Sequence, residues 1–199
     1  MRAEASTPEQ YAVVAVASSA GGIYALIELL GGLGADFPVP VLVVQHLDRR
    51  HRTVIADVLS RRTELAVKLA EADERIEAGT VYIAPPDRHL LAGPEGVLSL
   101  SNSELVHFVR PSADLLFESL AGAYGDRAIV CVLTGSGGDG AMGVDVVKSR
   151  GGTVIVQDPA SAQFRGMPEA AVATGAVDFV LPLGEIAELI RGLVGNDKK

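Results

Sequence analysis

The sequence predicts an α/β fold: a doubly wound, mainly parallel sheet with helices on both faces and a small antiparallel hairpin at one edge. Three observations carry that expectation. Continuous apolar runs at residues 11–17, 39–45, 128–134, 153–157 and 177–181 have the length and β-branched content of strands buried on both faces. Most of these runs lead into a stretch of helical period, the rhythm of βαβ units. The composition agrees, with 22 Gly and 10 Pro for turns, 48% hydrophobic residues and only 5% aromatics, so the core must be built from Val, Leu, Ile and Ala.

Helices are expected at residues 22–30, 53–62, 112–124, 141–150, 168–174 and 184–194. Ser112, directly after a proline, reads as an N-cap, and Gly151 as a stop just beyond a helix end. The middle of the chain breaks the rhythm. "GTVYIAPPDRHLLAGPEGVLSLS" holds short alternating segments joined by a Gly-Pro-Glu-Gly turn, which predicts the hairpin.

At 199 residues the chain supports one well-buried core and hence one domain, 11–194, with a flexible leader at 1–10 and a flexible tail at 195–199. The formal charge of −8 argues against nucleic acid as the main partner, because binding polyphosphate needs a basic face. Cys131 is the single cysteine and lies inside "AIVCVLT", which makes it a core thiol, excludes an intrachain disulfide and fits a cytoplasmic protein. The opening "MRAEASTPEQ" precedes too short an apolar run for a signal peptide or a membrane span, so no membrane insertion is expected.

In open α/β sheets, ligands bind beyond the carboxyl ends of the strands. The loops at those ends carry three reactive groups: Ser19 in "SSAGG", His46 in "VVQHLDRRH" and Asp139 in "LTGSGGDGAMG". If their strands are parallel neighbours, the three side chains share one edge and form the parts of an acyl-transfer relay. A serine between a strand end and a helix start exposes its Oγ on a sharp bend, beside free N–H groups and the positive end of the helix dipole. The competing reading is that Ser18 and Ser19 only cap the helix. Arg49, Arg50 and Arg52 around His46 disfavour the imidazolium, as a general base requires. They also disfavour a metal held by His46, Asp48 and His51, since three guanidiniums repel a dication.

A rival sits in "GSGGDG" at 135–140, which matches the dinucleotide pattern G-x-G-x-x-G after a strand and before a helix, with Asp158 about 20 residues on as a ribose acid. Against it, Asp139 would put a carboxylate in a loop meant for pyrophosphate.

With these loops in place, the chain resembles the catalytic domain of the chemotaxis receptor protein-glutamate methylesterases, the CheB type. "SSAGG", "VVQHLDRR", "VYIAPPDRHLL", "RPSADLLFESLA", "VLTGSGGDGAMG" and "QDPASAQFRGMPEAAVATGAVDFVLPL" occur in the family's order and spacing. The resemblance implies Ser19 as nucleophile, His46 as base, Asp139 as its orienting acid, and the backbone N–H groups of Ala20 and Ser136 as the oxyanion hole. It implies hydrolysis of γ-glutamyl methyl esters on the cytoplasmic helical bundle of a methylated chemoreceptor, with glutamine deamidation in some members, and no metal or organic cofactor. Substrate contacts are expected from Arg49 and Arg50, whose competing reading is a solvated rim, and from Met167, whose competing reading is a core contact. The family commonly has Ser-Thr-Gly-Gly where this chain has Ser19-Ala20-Gly21-Gly22, and a methionine where Ser136 stands; backbone donors survive both changes. Many members carry an N-terminal receiver domain. Only about ten residues precede the first strand here, so phosphoryl gating within this chain is not expected, and a separate regulatory protein is a candidate partner.

Overall fold

A computed structural model describes residues 11–48 and 53–195. The expected leader, the residues after 195, and Arg49, Arg50, His51 and Arg52 lie outside the described residues.

Seven strands form one sheet: β1 (Val13–Ser18), β2 (Val41–Gln45), β3 (Ala66–Leu69), β4 (Thr80–Ile83), β7 (Ala128–Val132), β8 (Thr153–Gln157) and β9 (Phe179–Leu181). Their order is β3-β4-β2-β1-β7-β8-β9, with every neighbouring pair parallel. The remaining strands, β5 (His89–Ala92) and β6 (Leu98–Ser101), form an antiparallel hairpin. The helices are α1 (Gly22–Leu33), α2 (Ile55–Ser60), α3 (Ala113–Tyr124), α4 (Ala141–Ser149), α5 (Gly166–Ala173) and α6 (Leu183–Gly195).

Strand alternation explains why both sheet faces need cover. In β1, Val13, Ala15 and Ala17 join a core with α3, α4, α5 and the hairpin, while Val14 and Val16 join the opposite core with α1, α2 and α6. The continuous apolar runs seen in the sequence are the result, because a strand covered on both faces has no polar side. Gly151, at φ 86°, ends α4 in the left-handed conformation expected of a glycine stop.

Two details differ from expectation. "TVYI" is not part of the hairpin but is β4, inside the parallel sheet between β3 and β2. The hairpin itself is a separate two-stranded sheet seated on α3, where Ser119 Oγ accepts the Ala92 N–H at 3.0 Å. β3 went unpredicted because its four residues are exposed or half-buried at the sheet edge and give no continuous apolar run.

Candidate active site

Three adjacent strands set the site. Ser18 and Gln45 are register partners at the ends of β1 and β2, and β7 flanks β1 on its other side. Backbone bonds continue the alignment past the strands: His46 N–H donates to Ser18 O at 3.1 Å and Ser19 N–H to Thr134 O at 3.0 Å. Ser19 and His46 consequently open onto the same cleft of about 420 Å³, walled by Gly21, Ile23, Tyr24 and Leu47.

Behind the cleft, the His46 ring meets Asp139, with Nε2 2.8 Å from Oδ2. Asp139 is 3% exposed and accepts three further bonds, from Ser112 Oγ at 2.8 Å and from the N–H groups of Ala113 at 2.7 Å and Asp114 at 3.2 Å. All four acceptor positions of the carboxylate are therefore used. Burial pushes its pKa up, but the bonds from His46, Ala113 and Ser112 outweigh that and hold it below the ordinary carboxylate value. An ionised, accept-only Asp139 assigns the proton to His46 Nε2 and leaves Nδ1 with the free lone pair. Among the described residues Ser19 Oγ has no hydrogen bond, to His46 or to any other group. The nucleophile candidate shares the cleft with His46 without being joined to it in this state.

Ser112 occupies the N-cap position of α3 as expected, yet its hydroxyl makes no cap bond and serves Asp139 instead. The cap of α3 is the Asp139 carboxylate. The arrangement is reciprocal, because Asp114, in the first turn of α3, accepts the N–H groups of Gly140 at 3.0 Å and Gly143 at 2.8 Å at the start of α4. A pyrophosphate would need those same donors. With Asp114 already on them, the dinucleotide reading of "GSGGDG" loses its binding site.

Asp114 is 2% exposed, and among the described residues its Oδ2 has no hydrogen bond and faces His107 Nε2 at 3.5 Å. Burial pushes its pKa up to about 6; the nearby Asp139 charge adds to the rise, while the Gly143 and Gly140 N–H groups and His107 oppose it. A folded-state pKa above the ordinary 3.8 means that this group's contribution to stability is present at low pH and is lost as pH rises through about 6. Asp114→Asn keeps an acceptor for α4 and removes the titration. Relative to that variant, the parent should lose stability, on the order of 1 kcal/mol, between pH 5 and pH 8. Thermal unfolding of both proteins across that range checks it, and parallel stability curves would contradict it.

"SSAGG" can now be divided. Ser18 is fully buried and donates to Gln45 Oε1 at 2.7 Å, so it is structural. Ser19 is the serine that reaches the cleft. Gly21, at φ 74°, makes the left-handed turn into α1. Among the described residues neither the Ala20 N–H nor the exposed Ser136 N–H has an acceptor, which leaves both free for a substrate oxygen. Met167 differs from its expected role as a substrate contact. It is 1% exposed and packs beneath Gly135, where a Cβ would come within 2.3 Å of its sulfur, so it supports the 135–140 loop from the core and has no surface for substrate.

Sequence reasoning passed over several supporting residues. His89 is fully buried, accepts the Ser112 N–H on Nδ1 at 3.1 Å and faces Glu104 O through Nε2 at 3.0 Å, one residue removed from Asp139. Gln45 and Thr134 are polar residues at or just past otherwise apolar strands, and that contrast was the available signal. Thr134 Oγ1 donates to Ala20 O at 3.1 Å and accepts the Phe164 N–H at 2.9 Å, tying two loops of the site together. Cys131 is fully buried in β7, and burial pushes its thiol pKa up, which leaves it inert.

Comparison with known proteins identifies the family and the fold. A family model described as CheB methylesterase matches residues 14–190. The chain is 40% identical over 187 residues to a putative protein-glutamate methylesterase/protein-glutamine glutaminase of Leptospira interrogans, covering 94% of this chain and 97% of that protein. It is 43% identical over 183 residues to the protein-glutamate methylesterase FrzG of Myxococcus xanthus, covering 92% of this chain and 55% of FrzG. The chain thus spans nearly all of one relative and about half of the other. The crystal structure of the Thermotoga maritima CheB methylesterase catalytic domain superposes with a TM-score of 0.88 at 38% identity, covering 92% of this chain and 98% of that one. The ordered strand-end loops, the shared fold and sequence identity across nine-tenths of the chain agree that it belongs to the CheB methylesterase family.

Proposed function

We propose that this chain is a serine hydrolase that removes methyl groups from glutamate methyl esters on the helical cytoplasmic bundle of a chemoreceptor, with Ser19, His46 and Asp139 as its relay. The observation that carries the reading is the His46–Asp139 bond. It commits Nε2 to the carboxylate and leaves Nδ1 as the only ring nitrogen able to take a proton in the cleft that Ser19 shares.

Ser19 Oγ attacks the ester carbonyl while His46 Nδ1 accepts its proton. The tetrahedral oxyanion is held by the Ala20 and Ser136 N–H groups. Collapse of this intermediate expels methoxide, which takes the proton from Nδ1 and leaves as methanol. Water, deprotonated by the same nitrogen, then attacks the acyl-enzyme and releases the glutamate and Ser19. A glutamine side chain follows the same course with ammonia as the leaving group, as the names of several relatives suggest for those proteins. No step calls for a metal or organic cofactor. Arg49 and Arg50 are the proposed contacts to an acidic receptor surface, and Ile23 and Tyr24 stand on the cleft wall to meet its apolar side chains.

A test combines methanol release from a methylated receptor fragment with labelling by a fluorophosphonate probe. The expected result is methanol in step with demethylation and a single labelled peptide containing Ser19. A protein that binds the fragment but releases no methanol and takes no label would be a non-catalytic interaction module of the same fold, and the hydrolase reading would fall.

A further inference from the structure

We infer that Gln45 is a positioning residue: its side-chain amide holds the Ser19–Ala20 peptide so that the Ala20 N–H faces the cleft. This inference rests on the methylesterase reading above and adds to it the device that aims one of the two oxyanion donors.

Gln45 ends β2 with its side chain 3% exposed. Its Nε2 donates both protons to carbonyls of the candidate catalytic residues themselves, to Ser19 O at 2.8 Å and to His46 O at 3.0 Å. Carbonyl oxygens only accept, so the amide nitrogen must lie on that side, and Oε1 on the other, where Ser18 Oγ donates at 2.7 Å. The orientation of this amide is thereby determined by its partners.

The consequence follows from peptide geometry. In a planar trans peptide the C=O and N–H point in opposite directions. Ser19 O and the Ala20 N–H belong to one peptide, so drawing the oxygen inward turns the N–H outward. Ser19 O accepts two bonds, from Gln45 Nε2 and from the Gly22 N–H at 2.8 Å, and the following carbonyl, Ala20 O, is held by Thr134 Oγ1 at 3.1 Å. The Gly22 bond is local to the turn, whereas the Gln45 bond comes from the neighbouring strand and anchors the same oxygen to the end of β2. Gly22 also explains itself here, since a Cβ at that position would lie 2.0 Å from Gln45 Oε1 and 2.8 Å from Ser18 Oγ. The same amide ties the Ser19 and His46 backbones to each other, which fixes the spacing of nucleophile and base.

The experiment uses the full chain and three variants. Gln45→Met has nearly the same length and no hydrogen-bonding atoms; Gln45→Glu, when ionised, still accepts from Ser18 but donates to neither carbonyl, and stands in if the first fails to fold. Ser18→Ala removes only the bond to Oε1. Active sites are counted with a fluorophosphonate, so that misfolded protein does not enter kcat. Kinetics on methylated receptor fragment, affinity for a boronic acid that forms a tetrahedral adduct with serine, and crystal structures are then compared. Loss of one oxyanion donor lowers kcat by about 10²–10³, and that is the fall expected for both Gln45 variants, with little change in KM. Boronate affinity should fall in parallel, and the Ser19–Ala20 peptide should be turned. Ser18→Ala should stay within about tenfold of the parent, because both donors remain. A kcat within tenfold of the parent per active site in the Gln45 variants, or a peptide that keeps its orientation without the amide, overturns the inference. If the parent itself releases no methanol, the methylesterase reading fails, and the peptide orientation in the variant crystals still decides whether Gln45 sets it.

Discussion

Ser19→Ala should lower kcat for methyl ester hydrolysis by about 10⁴–10⁶ and abolish fluorophosphonate labelling, while leaving the fold in place. The size follows from the loss of the only group able to form the acyl-enzyme. The remainder above the uncatalysed rate comes from the Ala20 and Ser136 N–H groups and from substrate binding, none of which involves the Ser19 side chain. Stability should change little, because the structural bonds at this position are made by the backbone, N–H to Thr134 O and carbonyl to Gly22 and Gln45, whereas Oγ has no partner among the described residues. Ser18→Ala is the contrasting variant. Its hydroxyl is buried and bonded to Gln45, so it should cost about 1 kcal/mol of stability and keep the label on Ser19. Mass spectrometry of labelled peptides and thermal unfolding separate the two serines. Undiminished turnover in Ser19→Ala, or labelling that moves with Ser18, would remove Ser19 from the mechanism.

How much of this could be read from the chain depends on the range of the interaction concerned. The central strands were legible because cover on both faces leaves their sequences apolar throughout, as at Val13–Ser18 and Ala128–Val132. The candidate site was legible for a related reason: parallel strands bring their carboxyl ends to one edge, so the residues following β1, β2 and β7 had to meet. Short or half-exposed strands were not legible. β3 has no apolar run, and β4 resembles a hairpin strand until its neighbours in the sheet are known. The polar network behind the site was hidden more completely. Which helix start faces which loop is a property of packing, and nothing local to Asp139 says that it caps α3, or that Asp114 caps α4 in return. Met167 shows the same limit. Its place in a loop near the active edge suggested contact with substrate, but the neighbouring Gly135 left room for it to fold inward.

Asp139→Asn should lower kcat by about 10⁴, the scale seen when the orienting acid of a relay loses its charge. The carboxylate now accepts from four donors: His46 and Ala113 on Oδ2, Ser112 and Asp114 on Oδ1. An asparagine has one accepting oxygen. If its amide nitrogen faces His46, the ring must accept at Nε2 and carry its proton on Nδ1, which takes the lone pair away from Ser19. If its oxygen faces His46, the tautomer survives, but the amide nitrogen meets the Asp114 N–H, and no charge remains to balance the imidazolium that forms when Ser19 loses its proton. Both orientations fail as a relay, and each leaves two donors opposed at the start of α3, the amide nitrogen meeting the Ala113 N–H in the first and the Asp114 N–H in the second. Asp139→Ala adds a folding cost of roughly 2–4 kcal/mol, since the Ser112 hydroxyl and the first N–H groups of α3 are left buried without an acceptor. The two variants should thus share a catalytic defect and differ in unfolding temperature, the alanine form melting lower. Asparagine turnover within tenfold of the parent would leave Asp139 as the cap of a helix and nothing more, because capping requires an acceptor and the relay requires a charge.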